Sequence, residues 1–405
     1  SIMSAELRMY QGYASFVKRF LIMGGICPHT RRRNVVYRYI VLWILICCFI
    51  TLLGVGNSRT FQTCCFSIHH KKLRQADGIL DSLLEEALRE ARARTVILIS
   101  LRTFYRLIFT QTTIMTVITI ILWSGPLITM KLHAAKNSTT GLYPFPSGAV
   151  FPWTVDSTLV WQVHYIFETS MCWFTLSIST GVDAFFGFCM FRISALLRSL
   201  SVEFEGQLSR GGENGADERK LFRKCVDKHN SLIKCRDIVQ TVYGPTILLV
   251  TVTNAVGMCS LIFQTFQVSG ISGGKAAEFG MYLFMKLLQT FQYAWPGELV
   301  VTESEFLRRE VYNNVWYECC DTSFAKQFQL VLVQRAIILK ACDLFQVSLD
   351  LFSKVKYHSF FRFYVHAITK GMRTRLNGTN RREGRFIVVS SLRIMCPSFV
   401  FSQKM

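Results

Sequence analysis

Charge is scarce in this 405-residue chain: Asp, Glu, Lys and Arg make up 18% of it, against 51% hydrophobic residues and a mean hydropathy of +0.30. So little charge cannot cover a soluble exterior. The apolar residues gather in runs of about twenty, the helix length that crosses about 30 Å of hydrocarbon. The composition therefore predicts an all-α, polytopic membrane protein. Disorder, collagen, coiled coil and a disulfide scaffold are excluded, because the 14 Cys are scattered and several fall inside apolar runs.

Acid is scarcer than base, 26 residues against 46, giving a net charge of +20. No zinc-finger spacing, RNP-like strand or basic stripe interleaved with aromatics accompanies that excess, so nucleic acid is not expected as a partner. In a membrane protein such an excess belongs in cytoplasmic loops, facing anionic lipid. Catalytic motifs are missing too: apart from glycines in loops, there is no H-E-x-x-H and no G-x-S-x-G, P-loop or G-x-G-x-x-G in strand-helix context. The pairs Cys47/Cys48, Cys64/Cys65, Cys319/Cys320 and His69/His70 lack second partners at metal-site spacing. Neither an enzyme nor a cofactor or metal site is expected. No internal repeat appears, which leaves a secondary transporter as a distant alternative.

What is present is a set of spans. Phe20 to Cys27 is short and followed by Pro28, unlike a cleavable signal peptide. Arg31, Arg32, Arg33 and Arg38 abut Val35 to Gly56, which reads as a signal anchor with a cytoplasmic N-terminus. Further runs are Leu107 to Met130, Thr158 to Phe191, Ile238 to Val268, Phe279 to Thr302 and Phe328 to Val365. The loops near 71–106, 191–237 and 303–335 are basic, whereas 131–157 and 269–278 are not. All three basic loops lie inside only if the chain also crosses between Gly54 and His70, a stretch carrying Arg59. Seven spans result, with the N-terminus inside and the C-terminus outside. The sequon at Asn137 is then external, as a glycosylation acceptor should be.

The predicted divisions are a cytoplasmic N-terminus (1–34), a seven-helix domain (35–365) and a tail (366–405). Within the second, 191–237 and 303–343 form a cytoplasmic helical anchor. Helical spacing runs past Phe191 through Leu196, Leu200 and Phe204, and resumes over Leu221 to Cys235 around a flexible loop at Gly206 to Glu218. Within the spans, Glu168 and Asp183 are too far apart to act as one carboxylate pair; His164 with Glu168, at i and i+4, could pair locally.

The C-terminal third then becomes distinctive: Val311-Tyr-Asn-Asn-Val-Trp316-Tyr317-Glu, Gln334-Arg335 and Phe345-Gln-Val-Ser348-Leu-Asp350-Leu-Phe352. Tyr293-Ala-Trp295-Pro296-Gly297-Glu298, Leu122-Trp123-Ser-Gly-Pro126-Leu127, His229 and Gly181-Val-Asp183-Ala-Phe185 fit beside it. Over about residues 10–365 these resemble the insect odorant receptor family. The resemblance implies a multi-pass subunit of an odorant-gated, non-selective cation channel in the plasma membrane of olfactory sensory neuron dendrites. It would join a common coreceptor in a hetero-tetramer around one pore. The coreceptor carries a much longer loop than 191–237, so a tuning subunit is implied. The related gustatory receptors end in a T-Y-x-x-x-x-x-Q-F pattern that nothing after Phe352 matches.

By the same resemblance Trp123 matches a pocket tryptophan near the outer end of the third span. Thr119 and Thr116 stand one and two turns before it on the same face. Trp161 and Tyr165 of the fourth span join them for a small volatile odorant, although Trp161 also suits an interfacial aromatic belt. Val365 falls at the family's gate position, with Phe361 and His358 one and two turns back. Trp316, Tyr317, Phe345 and Phe352 fall to the subunit anchor. Two departures stand against this: Lys354, Lys356 and Arg362 lie in the last helix, and an Arg-rich tail runs from Thr369 to Met405. Together with the eroded second span they keep open a receptor-derived chain that no longer functions.

Overall fold

The computed structural model describes residues 2–23, 57–135, 157–208, 215–267, 273–313 and 336–353, with a few isolated positions between 326 and 333. Val35 to Gly56, Asn137, Trp316, Tyr317, His358, Phe361, Val365 and the tail lie outside the described residues. Among the described ones the helices are α1 (Ile2–Met23), α2 (Asn57–Ile68), α3 (His70–Arg89), α4 (Ala91–Ala135), α5 (Thr158–Leu208), α6 (Gly215–Gln267) and α7 (Gly273–Asn313). A two-stranded antiparallel pair follows, β1 (Lys340–Ala341) and β2 (Phe345–Gln346), in register Lys340 to Gln346 and Ala341 to Phe345. A last helical segment begins at 349.

The spans continue as long rods because apolar residues recur at helical spacing well past the width of hydrocarbon. α5 runs 51 residues and α6 53. The sequence places flexible chain over 206–218, but helix covers its first three and last four positions. Among the described residues, three stretches are long and apolar enough to cross a membrane: Ala91–Gly125, Thr180–Phe204 and Phe222–Ile262. They differ in surroundings. Protein covers almost all of Thr180–Phe204, whereas α4 leaves Phe109, Val117, Ile120, Ile121 and Ile128 exposed. The C-terminal half of α5 is thus the post around which the other helices pack, and α4 presents the kind of surface lipid would cover.

The core joins α1, α3, α4, α5, α6 and α7 through Tyr13, Leu80, Phe104, Phe186, Phe191, Tyr243 and Val300, all nearly inaccessible. Phe104 stacks on Phe191 at 4.6 Å and on Trp295 at 5.7 Å, tying α4, α5 and α7 together. Gly181 is needed for the approach of α1: a Cβ there would stand 3.0 Å from Cβ of Phe20 and 3.2 Å from its carbonyl carbon.

One segment departs from the all-helical expectation. The run read as helix from Phe328 is not helical over 336–348, where β1 and β2 stand. Ile337, Leu339 and Ala341 are buried at every second residue, the period of a strand. The final helix consequently opens after Ser348, whose Oγ accepts from Leu351 N–H at 3.4 Å as an N-cap, so Phe345 precedes that helix. The stretch proposed as the second span is helical over its described residues, in α2, and helical hydrogen bonds from His69 N–H to the Cys65 carbonyl and from Leu73 N–H to the His69 carbonyl carry it into α3.

Candidate functional site: an aromatic contact between α4 and α5 and a latch below it

Thr116, Thr119 and Trp123 lie on one face of α4, and Trp161 and Tyr165 on one face of α5. One hydrogen bond, from the Tyr165 hydroxyl to the Trp123 backbone carbonyl at 2.8 Å, joins the two helices here. The Trp161 and Tyr165 rings lie 5.2 Å apart, tilted by 31°. Trp161 is buried at 3% exposure, which favours a packed aromatic over an interfacial belt; Thr119 is buried at 7%. Thr119 Oγ1 donates to the Met115 carbonyl and Thr116 Oγ1 to the Thr112 carbonyl, each at 2.8 Å. Both hydroxyl protons are committed to the helix, leaving lone pairs that can accept from a ligand donor. A neutral molecule with an apolar body and one hydroxyl suits such a lining.

Two polar clusters were not legible in the sequence. In the first, Gln62 Nε2 donates to Asp183 and, at 3.0 Å, to Tyr293 Oη, which itself donates to Asp183. The three come from α2, α5 and α7, so a carboxylate on an apolar helix is satisfied by partners remote in sequence. In the second, Arg192 is fully inaccessible, paired with Asp77 and, at 2.5 Å, with Asp81, and its guanidinium lies 4.2 Å from the Phe188 ring centroid. A cavity of about 310 Å3 opens beside this cluster between α1, α3 and α5, bounded by Tyr10, Lys18, Asp81, Glu85 and Phe188. It lies apart from the α4–α5 aromatic contact.

Below the spans the strand segment is latched to α6 and α7. Ser304 Oγ accepts from Ile337 N–H at 2.7 Å, Gln240 Oε1 from Lys340 N–H at 2.9 Å, and Arg236 Nη1 donates to the Ile338 carbonyl at 2.8 Å. Glu298 Oε2 accepts from Leu349 N–H at 3.2 Å, at the start of the last helix. A Cβ at Gly297 would overlap the Val347 carbonyl oxygen, so only glycine lets the segment lie this close to α7. Phe345 packs against the core, and Phe352 meets Phe291 edge-on at 5.8 Å. Both therefore make contacts within the subunit.

A sequence profile described as 7tm Odorant receptor matches residues 50–359. The odorant receptor coreceptor of Anopheles gambiae is 26% identical over 140 residues, 34% of this chain and 29% of that protein. Odorant receptor 85f of Drosophila melanogaster is 22% identical over 244 residues, 57% of this chain and 58% of that receptor. The chain thus aligns with less than two thirds of each. Among solved structures, that of the insect olfactory receptor OR5 from Machilis hrabei in complex with eugenol superposes with a TM-score of 0.65 at 17% identity, covering 88% of this chain and 98% of that one.

Proposed function

Because the chain belongs to the 7tm odorant receptor family, we propose that it is the tuning subunit of an odorant-gated, non-selective cation channel that works as a hetero-tetramer with a coreceptor. On this reading it resides in the plasma membrane of olfactory sensory neurons and crosses it seven times from a cytoplasmic N-terminus. The ligand is a small, neutral volatile held among Trp123, Thr119, Thr116, Trp161 and Tyr165. Val365, Phe361 and His358 line the pore, and Trp316, Tyr317, Phe345 and Phe352 join the subunit anchor.

The observation that carries this reading is the pairing of the aromatic contact with the latch. α4 and α5 meet through Tyr165 and Trp123 at one level. At another, Glu298 of α7 holds the first turn of the final helix. Between them Gln111 Nε2 of α4 donates to the Leu288 carbonyl of α7 at 3.1 Å, and Asn254 of α6 donates to Thr290 of α7 at 3.2 Å. A ligand that binds better when α4 and α5 separate slightly shifts the population of α7 and, through the latch, of the pore helix.

The test is expression in a non-olfactory cell, with and without a coreceptor, while currents to a panel of volatiles are recorded. Cation current evoked by an odorant only when both subunits are present is the expected result. Flux with the chain alone overturns the heteromeric reading. Silence despite surface delivery assigns the chain to the receptor-derived, non-conducting class.

A further inference from the structure

α1 divides cleanly into two faces. Tyr13, Val17 and Leu21 are buried, while Leu7, Arg8, Gln11, Gly12, Ser15, Lys18, Arg19 and Ile22 are exposed. At 100° per residue the exposed set occupies one continuous stripe, in which every described charge is positive. Gln11, Ser15 and Lys18 line the cavity that Asp81 and Glu85 also bound, whereas Leu7, Arg8, Gly12, Arg19 and Ile22 do not line it. The buried face fixes the depth of the helix. Phe20 abuts Gly181, Tyr13 Oη donates to the Ala184 carbonyl at 3.1 Å, and Tyr10 meets the Phe188 ring at 5.6 Å. All three partners lie in the apolar Thr180–Phe204 stretch of α5, within twelve residues of Arg192, its first charge after Asp183.

From this placement, and resting on the membrane-receptor reading above, we infer that the outer face of α1 docks on the anionic headgroups of the cytoplasmic leaflet. Arg19 and Lys18 contact phosphate and carboxylate groups, and Ile22, one turn farther from Arg192, enters the acyl boundary. A helix packed against a spanning stretch at its cytoplasmic end cannot turn its free face far from the headgroups. Cations flanked by exposed aliphatics suit that layer better than they suit water or hydrocarbon. Charge complementarity selects an anionic lipid over a zwitterionic one.

The test uses the full chain, co-expressed with a coreceptor and reconstituted in nanodiscs of phosphatidylcholine alone or with added phosphatidylserine. A photo-crosslinking benzoylphenylalanine replaces Gly12, which is exposed on the stripe, does not line the cavity and has open space at its Cβ position. Phosphatidylserine adducts above that lipid's share of the bilayer are expected, and each of the substitutions Lys18→Gln and Arg19→Gln should reduce the enrichment by up to about fivefold. Adducts in proportion to bilayer composition, unchanged by these substitutions, overturn the inference. So do adducts to a protein chain, which assign the face to a subunit or an acidic partner. Extraction of the whole chain by alkaline carbonate instead marks failure of the parent membrane reading.

Discussion

Tyr165 has one proton, and it goes to a backbone carbonyl on the neighbouring helix. Replacing it by Phe keeps the ring against Trp161 and removes only that bond, worth about 1 kcal/mol. A shift of roughly fivefold in the odorant concentration for half-maximal current is therefore expected, with surface assembly intact. Trp123→Ala removes a larger surface and should move the dose-response curve further; an unchanged curve takes Trp123 out of the pocket. Arg192 is the opposite case, a residue whose role is structural. Its charge is inaccessible and sustained by Asp77 and Asp81, so Asp77→Asn leaves a buried cation half-paired, at a cost of about 3 to 5 kcal/mol. Loss of monodisperse protein in detergent and a lowered unfolding temperature would register this. Stability equal to the parent's would show that Asp81 alone suffices.

At the scale of elements, the latch and the packing of α3 against α6 give separate tests. Gly297→Ala forces the Val347 carbonyl away from α7, so reduced odorant-evoked current at preserved expression is expected. Glu86 of α3 meets Lys224 of α6 at 2.5 Å, and the hydrogen bond from Lys224 holds the Glu86 carboxyl below its usual range. A lowered folded pKa contributes stability that is complete above the free carboxylate's value, about 4.3, and is lost as pH falls through the folded value. The pair is well exposed, so Glu86→Gln should cost under about 1 kcal/mol at neutral pH and flatten the acid limb of thermal stability.

The long helices were legible because 3.6-residue spacing persists through α5 and α6. The latch was not, since its alternation is masked by Ile338 and neighbouring apolar residues that read equally well as helix. Within the candidate site, Trp161 and Tyr165 could be paired from their i, i+4 spacing alone. The join to Trp123 could be reached only through the resemblance, and Gln62 with Asp183 and Tyr293 not at all, because those partners lie 110 to 231 positions apart.

For the whole molecule the decisive quantity is which side of the bilayer each loop occupies. The seven-span proposal puts Asn137 outside and the connection at 209–214, between α5 and α6, inside. A glycosidase-sensitive mobility shift abolished by Asn137→Gln is expected, together with an epitope inserted at 209–214 that antibody reaches only after permeabilisation. Surface labelling of that epitope on intact cells would reverse the topology and with it the pore assignment. Comparison with relatives establishes the family, while the orientation rests on where Lys and Arg collect.

α5 runs without an internal proline for 51 residues, about 76 Å, and its two ends have opposite surroundings. The N-terminal half carries exposed Leu159, Val163, Ile166 and Phe167; the C-terminal half is enclosed. Such a rod behaves as a lever with a clamped lower arm. On the channel proposal, a tilt of a few degrees at the ligand level cannot be absorbed by a hinge, so it must bend the shaft or strain the clamp at Asp183 and Arg192, and those two positions would then set the resting excitability.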